Sequence, residues 1–282
     1  MAELLCTTRF ERSLETFEWN NAPDGTPSPY LLLTYQLDRL LSSAHHCRWV
    51  VSLDYATLKS VCDNAVHKVN GADGKTPLKV TTCLTLSQSL TRSVQIRVVL
   101  SPSGNITVSV SPIEPLRYDP TAGPSFIPGV DTYILPVPIL SLGIDTEPTS
   151  GTVSMKTTNR KPYDDARARV GIPPLGAPRP RDITPNHPDD VILFNTSGAI
   201  METSICNIAF YRHGRWLTPP LIVGCISGVF RRWLLENGRI GETDEHSILL
   251  NTIENNEWVL VFNGVAGCRL GRVCRDRDRQ ER

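Results

Sequence analysis

Apolar residues recur at helical spacing through "YLLLTYQLDRLLSSAHHCRW", where Leu33, Leu37, Leu40 and Leu41 share one stripe, and this predicts an amphipathic helix. "SLDYATLKSVCDNAVHKV" predicts a second helix, opened by Ser52 or Asp54. Ahead of them "ELLCTTRF" reads as a strand. Behind them "SVQIRVVLSPSGNITVSVSPI" reads as a hairpin turning at Ser-Gly-Asn. The segment "NGADGKTPLKVTTCLTLSQSLT" is polar and rich in turn formers, as expected of a surface excursion. In the second half, "DDVILFN" and "ICNIAFY" are β-rich runs that read as the arms of a hairpin across "TSGAIMETS". "RHGR" marks a further turn before "WLTPP". "ISGVFRRWLLENGRI" carries a strong helical pattern with Gly238 at its C-terminal stop, and "WVLVFNGVAGCRL" reads as a final buried strand. No internal repeat is visible.

Prolines and glycines crowd residues 112 to 150, in "SPIEPLRYDPTAGPSFIPG" and "PVPILSLGIDTEPTSG", which reads as a crossing between domains. The expected organisation is a mixed α/β (α+β) chain with a small N-terminal domain over 1–135. A connection follows over 136–155, then a larger C-terminal domain over 156–282. That second domain opens with "SMKTTNRKPYDDARARVG", helical in its latter half. The Pro-rich "IPPLGAPRPRDITPNHP" follows as a rigid surface loop.

Charge narrows the function by exclusion. Among 282 residues, 29 basic side chains balance 29 acidic ones, which leaves no electrostatic footprint for nucleic acid or an anionic membrane. No run approaches the length of a membrane span, and the N-terminus becomes charged too soon for a secretory signal, so a cytoplasmic location is expected. The eight cysteines stand singly at 6, 47, 62, 83, 206, 225, 268 and 274, and the histidines complete no zinc pattern. Neither a metal nor a disulfide framework is predicted.

One polar position interrupts the apolar pattern. Glu202, in "IMETSICNIAFY", stands where a strand is about to begin, among residues destined for a core. An ionised carboxylate is costly there without a neutralising partner, whereas at an exposed strand end it needs none. Lys156 in "MKTTNR" follows apolar residues. Gly228 in "SGVFRR" precedes a helix whose free N–H groups suit a phosphate.

Taken together, these residues resemble the class IV aminotransferases, the pyridoxal-phosphate enzymes of fold type IV. Within that family the chain is most similar to the 4-amino-4-deoxychorismate lyases of fungi. "ETSICNIAF…GRWLTPPL" and "GVFRR" match the family pattern, and "KTTNR" matches the lyase pattern K-x-x-N-R. "DTEPTSGTVSMKTTNRKPYDDARAR" matches the fungal D-T-x-P-T…K-T-T-x-R…Y-D-x-A-R-x-R, and "QLDRL" matches H-x-x-R-L with Gln36 in place of the histidine. The resemblance is tightest over 145–270.

The resemblance implies a two-domain enzyme with its cofactor in an interdomain cleft. Lys156 would hold pyridoxal 5'-phosphate covalently and then serve as general base and acid. Glu202 would pair with the pyridine nitrogen and keep it protonated. Arg39 would clamp the phosphate as a planar fork. The backbone N–H groups of Val229 and Phe230 would complete the phosphate cup, and Asn207 would lie behind the ring. Gly264 stands where many members place a phosphate-binding hydroxyl, and Phe230 where aminotransferases often have Thr. Thr7 would face the cleft from the first strand, and Asn159 and Arg160 would flank a small-molecule substrate, Arg160 at a carboxylate. Arg97 is within reach of the cleft by the same reading, with a structural ion pair as its other role. A homodimer is implied, because the family completes its cleft with a partner loop. The implied reaction converts 4-amino-4-deoxychorismate to 4-aminobenzoate and pyruvate for folate synthesis. A class IV transaminase for D-amino acids, branched-chain amino acids or amines, and a non-catalytic paralogue, are the alternatives.

Overall fold

The computed structural model describes residues 2–70, 93–132, 136–149, 155–177 and 188–275. The excursion read after the second helix falls outside the described residues from position 71 onward, as do residues 178–187 of the Pro-rich loop. The chain divides into two compact units, one of residues 3–115 and one built from residue 116 onward.

In the N-terminal unit, β1 (Leu4–Phe10), β2 (Val94–Leu100) and β3 (Ile106–Pro112) form an antiparallel sheet with β2 in the middle. Two helices, α1 (Leu33–His46) and α2 (Tyr55–Asn70), lie against β1 and β3 respectively. Every second residue of β2 (Val94, Ile96, Val98, Leu100) is buried, and each of Leu4, Cys6 and Phe10 pairs with one of them. Onto this face close Leu33, Leu37 and Leu40 of α1, and Leu58, Cys62 and Val66 of α2. Burial of each such side chain contributes about 2 kcal/mol. Helix propensities differ by only a few tenths among such residues, so packing rather than propensity places these helices. Asp54, not Ser52, opens α2, its Oδ1 accepting the Thr57 N–H at 2.7 Å.

The C-terminal unit is built on an eight-stranded mixed sheet. Its strands are β4 (Leu140–Ile144), β5 (Asp190–Phe194), β6 (Ile200–Thr203), β7 (Asn207–Arg212), β8 (Arg215–Thr218), β9 (Gly241–Glu242), β10 (Trp258–Asn263) and β11 (Gly267–Val273). They run in the order β6-β5-β4-β11-β10-β7-β8-β9. Among the described residues two α-helices belong to this unit, α3 (Lys161–Arg169) and α4 (Val229–Glu236).

Three readings of the strands are corrected here. "DDVILFN" does not pair with "ICNIAFY": β5 pairs with β6, the "IMET" run, while β7 pairs with β8 and β10. The turn former Ser-Gly closes the first hairpin as expected, but its second arm is the short β6, which lies inside the stretch that the local pattern assigns to the loop. The expected crossing contains β4, which runs parallel to both β5 and β11 inside the sheet. The final strand is two, because the turn at residues 264–266 folds β11 back on β10. The β7–β8 turn uses His213 and Gly214, both at positive φ, the combination that matches strand twist.

β6 and β7 stand first and sixth in the sheet order, yet only residues 204–206 separate them in sequence. So short a connection reaches at most about 14 Å. The sheet therefore curls until these two strands lie near each other. The turn is closed by the Thr203 N–H on the Cys206 carbonyl at 2.8 Å and the Cys206 N–H on Thr203 Oγ1 at 2.9 Å.

Candidate active site

Glu202 is buried, with 3% of its surface exposed, so the exposed strand-end reading is excluded. It lies opposite Leu193 of β5 and so shares the sheet face of Val191 and Leu193. That face is covered by α3 through Tyr163 and Ala166, three residues apart on one helical stripe. The geometry therefore delivers the Tyr163 hydroxyl to Glu202, where it donates to Oε1 at 2.7 Å. Oε2 accepts the Ile226 N–H at 3.1 Å and the Asn207 amide at 3.3 Å.

Burial pushes the Glu202 carboxyl up to about 7, against the Tyr163 and Ile226 hydrogen bonds and the nearby Lys156 charge, which all favour ionisation. Asp190 adds a smaller push upward. A carboxyl raised that far stands between its two protonation states at neutral pH. Burial, and then the Glu202 charge, raise the Tyr163 hydroxyl far above the ordinary phenol range, so it remains a donor.

Lys156 is half-buried, five residues ahead of α3, and its charge acts on both Glu202 and Cys206. Asn207 is buried and divides its amide between Glu202 and the Ile226 carbonyl, the latter at 2.9 Å. Its Oδ1 lies against Gly228, where an added Cβ would come within 1.8 Å of it. Gly228 is the N-cap of α4, and no side chain caps that helix. Within the first turn, the Val229 and Phe230 N–H groups have no intrahelical acceptor. Asn207 thus ties the carboxylate to the loop that leads into a helix N-terminus. Gly264 lies in the β10–β11 turn, next to Asn263, whose amide donates to the Ile205 carbonyl at 3.3 Å and to Cys206 Sγ at 3.1 Å. The two turns are thereby joined.

Two predicted residues are engaged locally. Asn159 is exposed, and its Oδ1 accepts the Lys161 N–H at 3.2 Å. Arg160 donates to the Ser204 carbonyl at 3.1 Å, pairs with Asp164 at 3.5 Å, and lies over the Tyr163 ring at 5.3 Å.

Arg39 and Thr7 belong to the N-terminal unit. Gln36 is fully buried there. It donates to the Thr7 carbonyl at 2.7 Å and accepts from Arg39 Nη2 at 2.8 Å, so the glutamine itself couples Arg39 to β1. Thr7 stands directly opposite Arg97. Both lie on the sheet face turned away from the Leu4–Cys6–Phe10 core.

Sequence reasoning missed Tyr163 as a partner of Glu202. It also missed a buried cluster in which Arg167 donates to Ser204 Oγ at 2.8 Å and pairs with Asp190 at 3.5 Å. Ser204 in turn donates to Asp190. The signal was present in Y-D-x-A-R-x-R, whose Tyr and first Arg are the two residues concerned.

Residues 181–272 match the family described as amino-transferase class IV. A candidate aminodeoxychorismate lyase of Schizosaccharomyces pombe is 32% identical over 177 residues, 61% of this chain and 64% of that protein. The aminodeoxychorismate lyase of Saccharomyces cerevisiae is 32% identical over 199 residues, 64% of this chain and 51% of that protein. The matched stretches thus span about half to just under two thirds of these relatives' lengths. A hypothetical aminotransferase of Mycobacterium tuberculosis, solved with α-ketoglutarate and PMP bound, superposes with a TM-score of 0.60 at 14% identity. That match covers 99% of this chain and 85% of that one. The resemblance read from the motifs holds, and the fold is that of the fold-type-IV enzymes. Among the described residues no helix is long and apolar enough to cross a membrane.

Proposed function

We propose that this chain is a pyridoxal-phosphate-dependent 4-amino-4-deoxychorismate lyase, working in folate biosynthesis as a cytoplasmic homodimer. The observation that carries the cofactor reading is the buried Glu202 carboxyl, hydrogen-bonded on both oxygens yet still poised to ionise, in the field of Lys156. A buried anion of this kind calls for a cationic partner. The protonated ring nitrogen of pyridoxal phosphate is such a cation. The chemistry of the residues fits the group: Lys156 would anchor it covalently, Glu202 would pair with the ring nitrogen, and Asn207 would hold the Glu202 carboxylate. The Val229 and Phe230 N–H groups, at the N-terminus of α4, would hold the phosphate. Gly264 offers no hydroxyl, so backbone N–H groups carry that side.

When bound, the cofactor supplies an aldehyde for the substrate amine and a ring that accepts an electron pair. Glu202 keeps the ring nitrogen protonated. The Lys156 amine would remove the proton from the carbon bearing nitrogen and later return a proton to the product. Loss of pyruvate leaves an aromatic ring, and 4-aminobenzoate and pyruvate together account for every atom of the substrate. No amino acceptor is needed. The names of the two fungal relatives and the K-T-T-N-R run at Lys156 support the lyase over a transaminase.

Incubation with 4-amino-4-deoxychorismate tests this. Equal amounts of 4-aminobenzoate and pyruvate, without added keto acid, are expected. Absence of aminobenzoate, with rapid conversion of the cofactor to its amine form by D-alanine or a branched-chain amino acid, would move the chain to the transaminases.

A further inference from the structure

Glu202 has a second requirement beyond a cation, and α3 meets it. Each carboxylate oxygen offers about two acceptor sites. The Ile226 N–H and the Asn207 amide occupy Oε2, and the Tyr163 hydroxyl takes one site on Oε1. Among the described residues one site remains open, on Oε1, and its direction is set by where Tyr163 sits. We infer that Tyr163 is a positioning residue that fixes the Glu202 carboxylate in one orientation for the cation the site receives; this rests on the reading of Glu202 as the partner of the ring nitrogen.

Tyr163 is itself held from several sides. Arg167, one turn further along α3, grips Ser204 and Asp190, and Ser204 lies two residues beyond Glu202. Arg169 closes the same helix with a two-pronged ion pair to Asp145, both bonds at 2.7 Å. Arg160 covers the Tyr163 ring while bonding the Ser204 carbonyl. The segments read in sequence as D-T-E-P-T and Y-D-D-A-R-A-R thus close into one fastening around Glu202. If the ring of Tyr163 merely filled space, phenylalanine would serve there, and the buried hydroxyl would lack a purpose.

Other groups also act on Glu202. Lys156 favours its charge and Asp190 opposes it, and the Cys225 thiol from the loop before α4 feels it. None of them lies on α3, so removal of the hydroxyl alone isolates the role of Tyr163.

The test is Tyr163→Phe, which removes one oxygen and keeps the ring packed against Val191 and Leu193. Apoprotein carrying 13C-carboxyl glutamate is titrated by NMR, and the Glu202 signal is identified by its loss in Glu202→Gln. In Tyr163→Phe the Glu202 midpoint should rise by about one pH unit or more, with little change in melting temperature. An unchanged midpoint would show that the hydroxyl is only structural and would overturn the inference. In parallel, both proteins are treated with pyridoxal phosphate and borohydride. Labelling of Lys156 in both, with apparent affinity about tenfold weaker in the variant, is expected. A shifted midpoint with no labelling at Lys156 in either protein would overturn the cofactor reading while leaving the Tyr163–Glu202 coupling in place.

Discussion

Replacing Glu202 with glutamine in the apoprotein tests the electrostatics of the site with no ligand present. The substitution keeps the shape of the side chain and removes its titration. In the folded chain the carboxyl titrates at about 7, against an ordinary value of 4.5. Between those values the native state binds the proton that the unfolded chain has already released. Stability therefore falls as pH rises through that window, and it levels off above 7. At about 1.4 kcal/mol per pH unit, the span comes to about 3 kcal/mol. All other titrating groups are shared by the two proteins and cancel in the difference. Urea unfolding of wild type and Glu202→Gln at pH 5, 6, 7 and 8 should show the variant gaining on wild type by about 2–3 kcal/mol, most of it before pH 7. A flat difference would mean that Glu202 is not a buried carboxyl with a raised pKa. A difference of opposite sign would mean that the Lys156 charge outweighs desolvation, and the argument for an awaited cation would fail.

Lys156→Ala should abolish turnover and borohydride labelling while leaving the far-ultraviolet circular dichroism unchanged; a label that persists on Lys161 or Lys79 would refute the assignment. Arg167→Ala should destabilise the protein by about 3–5 kcal/mol, because Asp190 loses its buried cation. Arg167→Met with Asp190→Asn should recover much of that loss in the same urea assay. Gly228→Ala should cost about 1–3 kcal/mol and weaken cofactor affinity measured by absorbance titration, because a Cβ there displaces Asn207 from Ile226 and Glu202.

The N-terminal unit was legible because its two α-helices and its β2–β3 hairpin repeat a strong local pattern. The Leu33–Leu37–Leu40 stripe and the alternation of β2 are both long enough to declare their period. The C-terminal sheet was less so, since its order depends on which strands meet rather than on which residues favour strands. β6 has four residues, all buried, and shows no alternation to distinguish it from the turn beside it. Nor does β4 stand out from its Pro-rich surroundings. Its pairing with β5 and β11, far along the chain, supplies what local pattern does not.

The site divides along the same line. Glu202 stood out because a carboxylate is out of place in its apolar run, whereas Lys156 and Gly228 are ordinary singly and stood out only because, with Glu202, they match one family pattern. Tyr163 did not, since a tyrosine in a short amphipathic helix reads as core, and core is half of what it is. Its other half follows from register: Glu202 opposes Leu193, Leu193 lies under α3, and the hydroxyl therefore reaches Oε1. A strand slipped by one residue would turn Glu202 to the opposite face and leave the hydroxyl with no acceptor. The pairing of β5 with β6 is thus as much a condition of the proposed chemistry as the carboxylate itself. The buried Arg167–Ser204–Asp190 cluster, which fastens the turn after β6 to α3 and β5, protects that register.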